Sequence, residues 1–257
     1  MSKNPKKDFG LIADDYAFFE SHATEAEQDA RAYLKYLGKI VPTERTLRML
    51  DFGCGSGNFT ARVLKQTGWP PERLRLMLVD PVESARRQAV AQLARFTEAP
   101  VAESAALPAG LVASFDIVLA NHVFYYVPDL RGQLTSLIDA LSNSGIFVTA
   151  IAALSNALIE FWITGYRFLG REIPYNTSED VETALQELGA DYEKQQVAYQ
   201  LTFPDTDENR MRIIRFLLAD HLAQMPHRPL LDLFDQHSRS GQIDIRTASD
   251  HFTIRSG

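Results

Sequence analysis

The sequence predicts an α/β protein whose strands form a mostly parallel sheet. Short apolar segments alternate with segments whose apolar residues recur every three or four positions, a pattern typical of buried strands connected by amphipathic helices. A glycine-rich turn, Asp51-Phe52-Gly53-Cys54-Gly55-Ser56-Gly57, joins the first strand to its helix. The chain has 257 residues, 46% of them hydrophobic, and no Ser/Gly-rich linker. We therefore expect one domain, 1–257, with a sizeable core.

The first half of the chain shows the clearest alternation. Residues 1–10 are expected to be a polar tail, and Thr24 followed by Glu27 has the capping-box form of a helix start. The apolar patterns predict strands at 46–52, 74–79, 115–120 and 146–152. They predict helices at 24–37, 58–66, 82–96 and 130–141. Since strand and helix alternate, the strands should pair in parallel.

The second half is less regular, and we expect it to complete and cap the sheet. Ser178 is a candidate cap for a helix that Gly189 ends. Other predicted elements are helices at 156–169, 211–222 and 230–237 and strands at 192–203 and 251–255. The predicted organisation is lid helices in 1–40, a cofactor-binding core in 46–152, substrate-cap insertions at 153–176 and 205–240, and sheet completion by 178–204 and 246–257.

Composition excludes several classes of protein. The 26 basic residues are outnumbered by 33 acidic ones, which gives a net charge of −7 and argues against a nucleic-acid partner. Cys54 is the only cysteine, so we predict no disulfide and no cysteine-based metal site. The longest apolar stretches, such as 146–154, are about half the length of a membrane span. With no signal-like start, a cytoplasmic protein without membrane contact is expected.

The glycine-rich turn predicts a site for an anionic, nucleotide-sized ligand. Glycines allow positive φ and close approach, and the helix behind them presents unpaired N–H groups. A dinucleotide fingerprint would need glycine where Asn58 or Thr60 stands, and the Lys-Ser/Thr pair of a triphosphate loop is absent. The ligand should therefore be nucleotide-like without following either of those phosphate-binding patterns.

Asp80 ends the second predicted strand, 23 residues after Gly57. A carboxylate at this place can accept hydrogen bonds from both hydroxyls of a ribose. It can also cap the helix that follows Pro81. Both interpretations are open on the residues alone.

Four segments together resemble class I S-adenosylmethionine-dependent methyltransferases. The turn is similar to their E/D-x-G-x-G-x-G signature, Asp80 follows in order, and 103–108 and 114–118 are similar to their D-A-x-x-L-P and F-D-V-V stretches. The resemblance covers about 46–152. It implies a Rossmann-like seven-stranded sheet with the last strand antiparallel and helices on both faces. It also implies S-adenosylmethionine as cofactor and S-adenosylhomocysteine as product.

The resemblance implies cofactor contacts in the glycine loop, at strand ends and before the fourth strand. These positions are Asp51, Gly53, Cys54, Gly55, Gly57, Asp80, Pro81, Val82, Glu103, Ser104 and Asn121. Asp51 would organise the loop, and Asn121 would face the methyl group. Family members often close this site with an N-terminal segment, here 9–20. Its Tyr16 is a candidate partner for the sulfonium, or it packs on the sheet.

The segment after the fourth strand carries the candidate catalytic residues, His122 and Tyr125. A protonated amine must lose a proton before it attacks a methyl group, and His122 could take that proton near neutral pH, or it could be a packing residue. The order of 125–129, an aromatic insertion and 177–189 is similar to histamine N-methyltransferase-type enzymes. We expect methyl transfer to a small-molecule acceptor, an amine nitrogen rather than oxygen or sulfur. Alternatives are a protein or RNA methyltransferase and a non-methylating binder of the cofactor. The oligomeric state is open.

Overall fold

The computed structural model describes residues 12–40 and 45–255. Within them, eight strands form one sheet. The strands are β1 Leu47–Phe52, β2 Leu74–Val79, β3 Ala102–Ser104, β4 Phe115–Asn121, β5 Leu141–Ala152, β6 Tyr192–Pro204, β7 Ser238–Arg239 and β8 Gln242–Arg255. The helices are α1 Ala13–His22, α2 Glu25–Leu37, α3 Asn58–Thr67, α4 Glu83–Leu93, α5 Leu130–Asp139, α6 Ala157–Phe168, α7 Ser178–Glu187, α8 Asp207–Leu218 and α9 His227–Asp232.

The strand order is β3-β2-β1-β4-β5-β8-β6, with β7 paired to β8. The first five strands run parallel, and β8 is antiparallel to both β5 and β6. The predicted mostly parallel sheet with an antiparallel last strand is therefore confirmed. The strand order switches between β1 and β4, because β2 and β3 follow on one side of β1, and β4 and β5 lie on the other. The carboxyl ends of β1 and β4 therefore border a crevice, where α/β proteins bind ligands.

Apolar residues cover both faces of the sheet. Consecutive strand residues point to opposite faces, and the neighbours Met49 and Leu50 accordingly belong to two different core clusters, both fully buried. α2 and α3 pack on the Met49 face, while α5, α6 and α8 pack on the Leu50 face. This arrangement confirms helices on both sides. None of the helices in the described part of the chain is long and apolar enough to cross a membrane.

The two predicted helix caps have different outcomes: Thr24 is the N-cap residue of α2, as predicted, but lacks the side-chain bond of a capping box, and the prediction of Ser178 as a cap is wrong. The Thr24 side chain makes no cap to α2; its hydroxyl accepts from the Gln200 backbone at the edge of β6 (2.9 Å). α7 is instead capped by Thr177 and Asp180 in a capping box, and the Ser178 hydroxyl donates to Asp250 (2.6 Å). Local spacing suggested caps in both cases, but contacts with distant strands decided what these hydroxyls do.

Several element bounds also differ from the prediction. β8 pairs with β6 along its whole length, from Ile254 to Gln242, whereas only 251–255 was expected. β5 begins at Leu141 and continues through an irregular register, whereas the strand was predicted to begin at 146. The helix predicted at 211–222 starts and ends about four residues earlier. Residues 1–10, part of 9–20, and the last two residues of 246–257 lie outside the described residues.

Candidate active site

The predicted glycine loop lies at the carboxyl end of β1, in the crevice. Gly53 has φ +79°, and a Cβ built there would lie 2.4 Å from a methyl carbon of Val123. Gly57 has φ +83°, and its Cβ would lie 3.0 Å from the Ala89 Cα. At both positions the positive φ strains any residue with a side chain, and at Gly53 the side chain would also overlap Val123. Glycine is therefore the residue that this loop conformation favours at these two positions.

Gly55 differs from Gly53 and Gly57 because the space beside its Cα is open. Its φ is +50°, and no atom lies within 4 Å of a Cβ built there. Its N–H donates to the Asp80 carboxylate (3.0 Å). The loop backbone thus has a free face next to a carboxylate. This is the shape needed by a ligand that carries both an amino-acid end and a ribose, so the residues present fit S-adenosylmethionine.

Asp51 is buried at the base of the loop. Its carboxylate accepts a hydrogen bond from the Thr60 hydroxyl of α3 (2.5 Å). Burial raises its pKa to about 7, and the charge of Asp80 adds to that shift. Asp51 therefore connects the end of β1 to α3, and its role in organising the loop stays a prediction.

Asp80 uses one carboxylate oxygen for the loop and the other for the chain that follows. The Gly55 N–H donates to Oδ2, and the Val82 N–H donates to Oδ1 (2.9 Å). The cap residue of α4 is Val82 and not Asp80, so the helix-cap interpretation is wrong. The ribose role of Asp80 stays a prediction.

The remaining predicted cofactor residues border the same end of the sheet. Ser104 pairs with β2, and its carbonyl accepts from the Asp80 N–H (3.2 Å). The Glu103 carboxylate is held by Arg86 (3.0 Å). Pro81 is exposed. The Cys54 side chain is buried, and burial raises the pKa of its thiol, which suits a loop position and not a nucleophile.

Asn121 is the last residue of β4, and His122 follows it. We call the part of the crevice around His122, Tyr125 and Asp29 the acceptor side. The Asn121 side-chain oxygen accepts from the Tyr33 hydroxyl (2.7 Å). His122 has φ +52°, uncommon for a residue with a side chain. Its Nδ1 lies 3.1 Å from the Tyr125 hydroxyl and its Nε2 lies 3.0 Å from an Asp29 oxygen.

His122 is more basic than the sequence suggested. Burial lowers its pKa, but the Glu25 carboxylate, 3.6 Å from Nε2, and the Asp29 hydrogen bond together raise it to about 9. At neutral pH His122 therefore carries a proton, whereas titration near neutrality was expected. Its catalytic role stays a prediction.

Three residues of this acceptor side were missed by sequence reasoning: Glu25, Asp29 and His251. Glu25 and Asp29 are four residues apart on α2, on one face of the helix. Asp29 is 1% exposed and also accepts from His251 Nε2 of β8 (2.8 Å). The available signal was an acid next to the buried apolar positions Ala30 and Tyr33.

Tyr16 lies on α1 beside this cluster. Taken as a whole, Tyr16 is 37% exposed, and its ring packs against Phe216 of α8, with centroids 5.4 Å apart. Burial of its phenol group and the charges of Glu20 and Glu25 raise its pKa well above the ordinary value. These neighbours place Tyr16 near the acceptor side, and its contact with the cofactor stays a prediction.

Tyr125 packs against a group of aromatic rings from the insertion 153–176. Trp162 lies 5.4 Å from Tyr125 and 4.5 Å from Tyr175, between ring centroids. Tyr175 lines a cavity of about 690 Å³ together with Arg167 and Arg171. Trp162, Tyr166 and Tyr175 are buried, whereas Phe168 is 44% exposed. The insertion 153–176 thus supplies the aromatic rings next to Tyr125 and much of the lining of the cavity beside Tyr175.

Comparisons with known proteins agree with this geometry. Residues 22–195 match the family model described as "Methyltransferase domain". The chain is 32% identical over 136 residues to trans-aconitate 2-methyltransferase of Rhodopseudomonas palustris (strain BisB18), covering 52% of this chain and 47% of that one. It is 29% identical over 146 residues to malonyl-[acyl-carrier protein] O-methyltransferase of Acetivibrio thermocellus, covering 51% and 48%. The chain thus spans about half the length of the curated relatives it matches.

A solved structure shares the fold over nearly its whole length. The YcgJ protein of Bacillus subtilis superposes with a TM-score of 0.61 at 15% identity, covering 90% of this chain and 99% of that one. At this identity the likeness concerns the fold alone.

Proposed function

The chain belongs to the methyltransferase-domain family, and from this premise we propose that it transfers the methyl group of S-adenosylmethionine to an amine nitrogen of a small-molecule acceptor. When bound, the cofactor supplies an electrophilic methyl group and leaves as S-adenosylhomocysteine. The residues of this chain bind it, orient the acceptor and remove a proton. Helices of 1–40 and the insertions 153–176 and 205–240 act in this proposal as a lid and cap that exclude water.

On the cofactor side, the chain offers complementary groups for both ends of the molecule. The free face of Gly55 and the start of α3 suit a carboxylate. Asp80 presents two oxygens, each with one backbone N–H already bound and further lone pairs available to ribose hydroxyls. Asn121 borders the methionine end.

The observation that carries the amine proposal is the pair of carboxylates next to Nε2 of His122, Asp29 at 3.0 Å and Glu25 at 3.6 Å, which make the imidazole basic. Its pKa of about 9 approaches that of an alkylammonium group, about 10.4 for lysine. Proton transfer from such an acceptor to His122 is therefore nearly balanced in free energy, whereas an ordinary imidazole would be a much weaker acceptor.

The charge around His122 supports the same class of acceptor. Glu25 and Asp29 together carry two negative charges against the single positive charge of a protonated His122. This excess attracts a cationic amine to the site. The attraction predicts that acceptor binding weakens as salt concentration rises.

A second candidate is methylation of a carboxylate oxygen. The malonyl relative is named an O-methyltransferase, and the cavity beside Tyr175 is lined by Arg167 and Arg171. Two guanidinium groups suit a carboxylate-bearing acceptor. Arg167→Ala with Arg171→Ala would then raise KM for carboxylate acceptors and leave amine acceptors unaffected.

The test is to follow S-adenosylhomocysteine formation with panels of small amines and small carboxylates. Turnover with amines, rising toward pH 9, supports the proposal. Turnover confined to carboxylates replaces it with the second candidate. Cofactor binding without turnover on either panel would indicate a non-methylating binder, and turnover only on protein or RNA would indicate the macromolecular alternative. Asp80→Ala serves as the control deficient in cofactor binding.

A further inference from the structure

A continuous chain of side-chain hydrogen bonds crosses the molecule from β5 to β8 through the acceptor site. The Ala152 N–H donates to the Tyr125 hydroxyl (2.7 Å), which lies 3.1 Å from His122 Nδ1. His122 Nε2 lies 3.0 Å from one Asp29 oxygen, and His251 Nε2 lies 2.8 Å from the other. Asp29 and His251 are each 1% exposed. A buried carboxylate between two imidazoles is retained only where it is fully paired.

The geometry leaves each nitrogen of His122 a distinct partner. An ionised carboxylate only accepts hydrogen bonds, so the Asp29 oxygen requires a proton on Nε2. In the neutral ring Nδ1 is then the proton-accepting nitrogen, and it faces the Tyr125 hydroxyl. The two imidazoles also hold the pKa of Asp29 well below its usual range, so Asp29 stays ionised.

We propose that Asp29 and His251 are positioning residues that set which nitrogen of His122 accepts the acceptor's proton, and that this proton reaches Nδ1 through the Tyr125 hydroxyl. The proposal rests on the amine-methylating function above. The acceptor's N–H bond breaks and its electron pair stays on nitrogen, ready to attack. The proton binds the Tyr125 oxygen as the Tyr125 hydroxyl proton moves to Nδ1, which leaves His122 as an imidazolium.

His251 acts one step further away, through Asp29. Its Nε2 occupies the second Asp29 oxygen and so prevents the carboxylate from rotating away from His122. Its Nδ1 is buried and has no hydrogen-bond partner among the described residues. The His251 ring also packs against Tyr33, with centroids 5.2 Å apart. Among the described residues, its contact with Asp29 is therefore the hydrogen bond of its side chain.

Several titratable groups face His122 and its partners. Glu25, Asp29 and Tyr33 come from α2, Tyr125 from the segment after β4, Tyr199 from β6, and His251 from β8. Glu25 raises the basicity of His122 through its charge, at 3.6 Å, but it does not pair with His251. We call the hydrogen-bonded series Tyr125, His122, Asp29 and His251 the relay. Glu25→Gln removes a nearby charge and leaves the relay intact, so it separates the two effects.

The first measurement is the titration of the His122 imidazole by NMR, which needs neither cofactor nor acceptor. The wild-type ring should titrate near pH 9, and Asp29→Asn should lower that midpoint by at least one pH unit. Asp116→Asn is the matched control, because Asp116 is a buried carboxylate at the opposite end of β4, held by Arg48 and Ser142. Its substitution should leave the midpoint unchanged.

The second measurement is the pH dependence of kcat with an amine acceptor. Asp29→Asn should move the rising limb to lower pH and reduce kcat at least tenfold, with KM for the cofactor within twofold. His251→Leu should reduce kcat, and His251→Gln, which keeps an N–H donor for Asp29, should restore most of it. Glu25→Gln should also move the rising limb to lower pH. It should not cause the loss of kcat that His251→Leu causes.

These results separate the relay from the proposed function. A wild-type midpoint near 6.5, or one that Asp29→Asn leaves in place, overturns the relay whatever the enzyme methylates. A relay-like titration without turnover on amines overturns the amine acceptor only. If Asp29→Asn does not fold, the wild-type midpoint and the His251→Leu and His251→Gln pair still decide the matter.

Discussion

Asp80 offers the most direct test of the cofactor site. Each of its oxygens accepts one backbone N–H, from Gly55 and from Val82, and each retains about one further lone-pair position. Two ribose hydroxyls can use these positions. Hydrogen bonds to a charged group contribute about 1.5–3 kcal/mol each, and about 1.4 kcal/mol is a factor of ten. Each bond thus corresponds to roughly a tenfold to hundredfold change, and Asp80→Ala, which removes both, should weaken S-adenosylhomocysteine binding by about a hundredfold or more.

The structure predicts that Asp80→Ala also lowers the free energy of unfolding. Without the carboxylate, the Gly55 N–H loses its partner next to the loop, at roughly 1–3 kcal/mol for a buried donor and less for a solvated one. For a protein of this size, each kcal/mol lowers Tm by about 2–4 °C. Asp80→Asn keeps an acceptor oxygen and should fall between wild type and Asp80→Ala in both measurements.

Calorimetric titration with S-adenosylhomocysteine, at a temperature where every variant is folded, measures the affinity. Glu83→Gln is the matched control, because it removes an exposed carboxylate three residues away. Wild-type affinity in folded Asp80→Ala would refute the ribose role and leave Asp80 a residue that only shapes the loop.

Three further experiments test the glycine loop, the charge of His122 and the cap of α7. Gly53→Ala should lower Tm by several degrees, since strain at a positive φ costs about 1–3 kcal/mol and the new methyl meets Val123; adding Val123→Ala should recover part of the loss in a thermal melt. His122 has a folded-state pKa of about 9, above the roughly 6.5 of an unfolded chain, so its stabilisation is complete below about pH 6.5 and is lost as pH rises through 9. Denaturant titrations across that range should show the decline, and His122→Gln should flatten it. Thr177→Ala should cost about 0.5–2 kcal/mol through loss of the α7 cap, with the exposed Thr183→Ala as control; equal unfolding midpoints in the two variants would contradict the capping box.

The parts of the fold that could be predicted from the sequence are those fixed by neighbours along the chain. β1, the glycine loop and α3 follow one another within about twenty residues, so their apolar pattern and glycines specify them together. The same holds for β2 and Asp80. The loop conformation at Gly53 and Gly57 favours glycine for reasons of φ and space that the sequence already indicated.

The parts that could not be predicted depend on residues far apart in the chain. Thr24 and Ser178 had the right spacing for caps, but strands β6 and β8 gave their hydroxyls other partners. Asp29 resembled a surface acid on an amphipathic helix until β8 and the end of β4 enclosed it. The basicity of His122 follows from that enclosure, so an ordinary imidazole was the only expectation available from sequence.

The contact between Asp29 and His251 spans 222 residues of sequence, and this has a consequence for the order of assembly on the ribosome. Strands β1 to β5 can pair once residue 152 has emerged, and the glycine loop forms with them. About a hundred residues later, β8 inserts between β5 and β6. At roughly 5–20 residues per second, the nascent chain therefore holds a cofactor crevice for several seconds before β8 brings His251 to Asp29 on the acceptor side. A nascent protein should bind its cofactor before it can turn over.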